Sequence, residues 1–203
     1  MLVEPRAKRP VVAGSAVVAS TAVVSGDVQI GAGTVVLAGA VVTAEGAPVR
    51  IGQSCVIMEN AVIRGAGKHP ATLGDYVLVG PNAHVTGATI APGVFVATGA
   101  AVFNGAVLEE GTLVAINAVV HIGTKCPPGT LVPIGHIAVG SPARIVPPAE
   151  ARSIAKELAA LGFTKFVFGF EVKSLADATA IKELCEKYSR ALRQHREDRV
   201  VDS

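Results

Sequence analysis

The chain has 203 residues, half of them apolar, and a net charge of only +2. That is enough for one sizeable core plus an appendage, and so small a charge balance, with no concentrated basic face, sets nucleic acid aside as a partner. With no Trp, six Phe and 22 Gly, the apolar weight falls on Val, Ala, Ile and Leu. This composition suits strands and tight corners. Cys55, Cys126 and Cys185 are an odd number without framework spacing, which predicts free thiols in a reducing compartment.

In chain order, residues 1–10 form a lead-in. The stretch "VVAGSAVVASTAVV" after "EPRAKRP" has the outline of a basic region followed by an apolar one. Its valines, however, keep a strict beat that runs far beyond any cleavage site, with Ser15, Ser20 and Thr21 spaced through it. The expectation is therefore no signal peptide, no membrane segment and a cytoplasmic protein.

The beat is a repeat of six. From Val12 it reads VAGSAV, VASTAV, VSGDVQ, IGAGTV, VLAGAV, and it resumes at Ile51, Leu73 and Val96. Each block opens on an aliphatic residue followed by a small one. A period this short implies a short strand, a corner and another strand, with the leading aliphatic turned inward each time. Three such strands close one coil, and coils stack at the strand spacing of ~4.8 Å. The predicted fold is an all-β solenoid over residues 11–146. The beat breaks in four places: extra residues between Val42 and Ile51 and between Ile63 and Leu73, a missing one between Val85 and Ile90, and an apparent dissolution after His121. Insertions in a solenoid leave as loops at corners, where binding residues collect.

Residues 147–203 read as a helical extension. "PPAEARSIAKELAALG" opens on two prolines and ends at Gly162. A Phe-rich connector, 163–172, follows and is expected to cover the open end of the solenoid. A second helix begins with Ser174 and Asp177 in capping-box spacing. It carries apolar residues at 175, 178, 181, 184, 188 and 192 on one face. Its basic end (Lys187, Arg190, Arg193, Arg196) suits a solvated helix C-terminus.

The blocks resemble the hexapeptide-repeat, left-handed parallel β-helix proteins over roughly residues 11–146. "LAGAVVTAEGAPVRIGQSCVIMENAVIRG", the short "VTGATI" and "VGSPARIV" are together similar to the gamma-class carbonic anhydrases. That resemblance implies left-handed coils and a homotrimer with a metal at each subunit interface, where it activates water. It also implies a place for each site residue. The family's Arg and Asp fall on Thr43 and Glu45, its glutamine on Met58 with Glu59 next to it, and its three ligand histidines on Arg64, Pro81 and Thr86. None of these three is an imidazole, so the ordinary zinc site does not form.

Three readings of the remodelled site follow. In the first, a trimeric, gamma-carbonic-anhydrase-like protein holds a small molecule or anion at the subunit interface. There His69, His84 and His121 ligate a displaced zinc or another divalent metal, and Arg64, His69, Asn82 and Thr86 bind the ligand. In the second, it is a hexapeptide acyltransferase using acetyl-CoA, with His84 as general base and Glu59 or Glu45 orienting it. In the third, it is a trimeric scaffold with no cofactor, or an anion binder built on Arg64.

Overall fold

The structure, a computed structural model, describes residues 1–5, 7–169, 171 and 177–201. The sixfold beat becomes a left-handed parallel β-solenoid with a C-terminal helical extension. Successive strands visit three sheets in turn, so every strand pairs with the strand one coil before and one coil after. The long sheet runs from Leu2–Glu4 through Val62–Gly65 and His84–Thr86 to Arg144–Val146. The second sheet runs from Val11–Val12 to Lys125–Cys126, and the third from Val17–Val18 to Leu131–Val132.

The leading residue of each block points inward as expected. Val36, Ile57, Val79, Val96, Val114 and Val132 stack up the third sheet with no exposed surface. Ile63, Val85, Val102 and Val120 do the same in the long sheet. The small second residue has its own cause. A Cβ on Gly31 would sit 2.5 Å from the carbonyl oxygen of Gly52, and one on Gly52 would sit 2.7 Å from the carbonyl carbon of Gly74. The corners of adjacent coils lie in direct contact, and only glycine fits between them.

One expectation is corrected at the upper end. The beat does not dissolve after His121. Lys125–Cys126, Leu131–Val132 and Ile137–Val139 form one more coil in register, with Cys126, Val132 and Ala138 turned inward and fully buried. A cysteine stands where an aliphatic residue was expected, and Pro127, Pro128 and Pro133 occupy corners that their fixed φ tolerates, which hides the period.

The breaks in the beat share one location. The insertions around 44–49 and 65–71 and the deletion at 86–89 all lie where the chain leaves the long sheet for the second. Along this corner runs the helical extension: α1 (Ala155–Ala160), α2 (Phe163–Phe168) and α3 (Ala178–Leu192). Asp177 caps α3 by accepting from the Thr179 amide, while its predicted partner Ser174 and the apolar Leu175 lie outside the described residues. Of the predicted face, Ile181, Leu184, Tyr188 and Leu192 are half-buried and Ala178 is exposed. The extension ends in Arg199–Val201, which pairs antiparallel with Leu2–Glu4. Residues 163–168 of the connector are helical, and they do not cover the solenoid's end. Phe166 lies along its side, against Gly105 and stacked on His69 at 4.6 Å between ring centres.

The outward positions differ from sheet to sheet. On the third sheet the exposed column is Val17, Val35, Val56, Leu78, Phe95, Leu113 and Leu131, apolar at every rung. On the long sheet one outward column is Val23, Val41, Val62, His84, Ala101, Val119 and Ile137. The second sheet instead shows Val11, Gln29, Arg50, Thr72, Thr89, Val107 and Lys125 in its column. Two faces thus carry an apolar outward column, and the column of the third is mostly polar.

Candidate active site

Beside the apolar column of the long sheet stands a second outward column, where Ser25, Thr43, Arg64 and Thr86 are paired in register. It lies next to the irregular corner, and the helical extension crosses in front of it. Between the two is a cavity of about 860 Å³ lined by Glu45, Arg64, Lys68, His69, Thr86 and, from the extension, Tyr188 among others.

The site is held from both sides. The Arg64 guanidinium donates to the Tyr188 hydroxyl at 2.8 Å. Glu45 accepts from His195 at 2.8 Å, and the other nitrogen of the same ring meets Asp198 at 2.7 Å. Hydrogen bonds to Asp198 and then to Glu45 raise the His195 pKa, so the imidazolium form is favoured where the ring is clamped between these carboxylates. His69 sits in the inserted loop, bridged to Ala66, and its ring faces Phe166.

His84 shares a 2.5 Å hydrogen bond between Nε2 and the Thr86 hydroxyl, two residues along the same face of one strand. Burial first, and the Arg64 charge second, lower its pKa. The ring is therefore neutral at neutral pH, with a lone pair available to take a proton. Thr86, nearly buried, carries that pair to the cavity wall.

Of the residues singled out in the sequence, the structure gathers Glu45, Arg64, His69 and Thr86 around one cavity, with His84 bonded to its wall. It places Glu59 and Asn82 elsewhere, stacked at the corner between the third and long sheets, where the Asn82 amide donates to the Glu59 carbonyl. His121 lies further up, its ring 6.2 Å from that of Phe103, with its pKa lowered by burial. Of the three histidines of the displaced-metal reading, His69 and His84 thus border one cavity while His121 stands by Phe103. Among the described residues of the chain, no group of three His, Cys, Asp or Glu side chains converges as a metal site. Sequence reasoning passed over Tyr188, His195 and Asp198. It also passed over Asn104, which is 1% exposed beside Gly87 and has no hydrogen-bond partner for either amide atom among the described residues.

No family model matches the chain, and no curated protein does. Among solved structures, a hexapeptide transferase family protein from Anaplasma phagocytophilum is 26% identical, with a TM-score of 0.55 over 79% of this chain and 93% of its own. The fold is the hexapeptide-repeat, left-handed parallel β-helix, shared with that transferase family protein. Two other matches are a putative acetyltransferase from Bacillus cereus (20% identity, TM-score 0.44, 78% of this chain and 91% of that one) and a UDP-N-acetylglucosamine acyltransferase from Francisella novicida (16%, 0.47, 91% and 87%). Within the hexapeptide fold, nothing found here singles out the gamma-class carbonic anhydrases. Among the described residues, no helix is long and apolar enough to cross a membrane.

Proposed function

We propose that the protein is a cytoplasmic, homotrimeric acyltransferase that uses an acyl-coenzyme A, with His84 as its general base. The observation that carries this reading is the His84–Thr86 pair on the wall of a large cavity, in a fold shared with a hexapeptide transferase family protein. Neutral His84 takes a proton through the Thr86 hydroxyl from the amine or alcohol of the acceptor as that group attacks the thioester carbonyl. The departing thiolate takes the proton back. Lys68 and Lys165, at the exposed mouth of the cavity, offer positive charge to the coenzyme's phosphates. Carbon dioxide hydration at a displaced metal is not carried forward, because no ligand cluster among the described residues supports it.

The trimer is supported by the two apolar outward columns. Seven rungs of Val, Leu and Phe form a stripe that soluble monomers rarely leave uncovered, and a second copy of the same face is its natural cover. His84 stands in one of these columns, so subunit contact would border the site.

The test has two parts. Acetyl-CoA should raise the melting temperature, and thiol release should appear when a panel of amines and alcohols is added to wild-type protein but not to His84→Ala. Absence of both protection and thiol release would overturn the reading.

A further inference from the structure

The charges around the cavity do not balance. Of its carboxylates, Glu45 is engaged by His195 and Glu171 pairs with Lys165 at 3.6 Å. Arg64 and Lys68 meet no carboxylate among the described residues. Lys68 is exposed and its charge is met by water. Arg64 is not in that position. It is half-buried, and the partner its guanidinium meets is a neutral phenol, which takes one of five N–H donors. A cation withdrawn from water without a counter-charge is unfavourable until an anion meets it.

The neighbourhood of Arg64 is suited to such an anion. Arg64 sits mid-strand, its register fixed on both sides, so the guanidinium is presented from a rigid support. Its cross-strand neighbours are Thr43 and Thr86. Thr86 is also the residue bonded to His84. A group held on Arg64 therefore lies beside the proposed base.

We propose that Arg64 docks a carboxylate, so that the acceptor taken by this cavity is a small carboxylate-bearing molecule. A planar guanidinium binds a carboxylate through two parallel N–H···O bonds, with specificity that a lysine does not reproduce. The term acceptor rests on the acyl-transfer reading, whereas the carboxylate site itself does not. The Arg64 charge also depresses the His84 pKa. A carboxylate on Arg64 relieves part of that effect and leaves the base stronger once the acceptor is bound.

The experiment compares succinate with succinamide, which differ in charge and little in shape, by calorimetric titration of the wild type, Arg64→Met and Arg64→Lys. The expected result is heat of binding for succinate, at least tenfold weaker binding of succinamide, loss of succinate binding in Arg64→Met and partial retention in Arg64→Lys. Melting curves check that the variants fold, and the wild-type comparison stands even if Arg64→Met does not. Equal binding of both probes, binding of neither, unchanged succinate binding in a folded Arg64→Met, or binding of inorganic phosphate without succinate overturns the proposal. Acetyl-CoA protection is measured on the same samples. Succinate binding with neither acetyl-CoA protection nor thiol release removes the transferase reading and leaves the carboxylate site. Acetyl-CoA protection without succinate binding does the reverse.

Discussion

His195 and Glu45 are 150 residues apart in sequence and meet at 2.8 Å, joining the end of the helical extension to an inserted corner of the solenoid. The His195 pKa is raised above its ordinary 6.5, first by Asp198 and then by Glu45. Its contribution to docking is therefore fully present below pH 6.5 and is lost as pH rises through the higher folded-state value. The ring is about a third exposed, so solvent screening holds that contribution to about 1 kcal/mol. Hydrogen exchange of the amides of Arg199–Val201 should quicken as pH rises through this window, beyond the ordinary base catalysis seen in His195→Gln. Equal pH dependence in the two proteins would show that the clamp carries no such role.

The His84 shift has the opposite sign and another consequence. Its pKa is lowered, by burial first and the Arg64 charge second. The acidic limb of the kcat/KM profile for acyl transfer should therefore lie at lower pH than an ordinary histidine would give. Substituting Met for Arg64 removes the charge that helps depress the pKa, so the acidic limb should move to higher pH. A limb unmoved in that variant would separate the two residues.

Asn104 offers a stability test. A buried amide with no partner for either atom costs on the order of 1–3 kcal/mol relative to an apolar side chain of the same shape. Asn104→Leu keeps the number and branching of side-chain heavy atoms and should raise the denaturation midpoint. If it lowers the midpoint by a similar amount, the amide is satisfied by a partner in the assembled protein.

The apolar columns predict assembly. Phe95 is 42% exposed, halfway up the third sheet's outward row. Phe95→Asp places a charge in the middle of the stripe and should shift the mass measured by light scattering from trimer to monomer, while the circular dichroism of the coil persists. An unchanged mass would place the subunit contact on another face.

Gly52 tests the corner packing. Alanine there would press a Cβ to 2.7 Å from the carbonyl carbon of Gly74 and against the Asp75 carboxylate. Gly52→Ala should cost ~2 kcal/mol or more in urea unfolding. Gly14→Ala, with open space around it, should cost little.

The coil was legible because one signal repeats: the aliphatic that opens each block has a single place to go. The same blocks held a second signal in their sixth residue. It is Val17 and Val23 in the first two blocks, then Gln29, and that alternation of two apolar faces with one polar face recurs up the chain, with His84 and Val107 as exceptions. It went unread because attention to the buried position hides the exposed one. The cavity was legible only on its solenoid side, where the family resemblance pointed to Arg64 and Thr86 and the inserted loop pointed to His69. Its other wall was not. Tyr188 and His195 lie 124 and 150 residues from the partners they touch, and no local spacing encodes a contact across that distance. Glu59 and Asn82 failed for a related reason: a triangular coil has three corners, and closeness in sequence does not say which one a residue occupies.

A stack of coils in which each touches only its neighbours unravels from its ends, one rung at a time. The extension alters this. In passing from Phe166 on His69, through Tyr188 on Arg64 and His195 on Glu45, to Val201 beside Leu2, it ties the first strand to rungs with which that strand shares no pairing. It acts as a strap across the teeth of a zip. The first coil cannot peel away without pulling the last strand with it, so the array melts as one body.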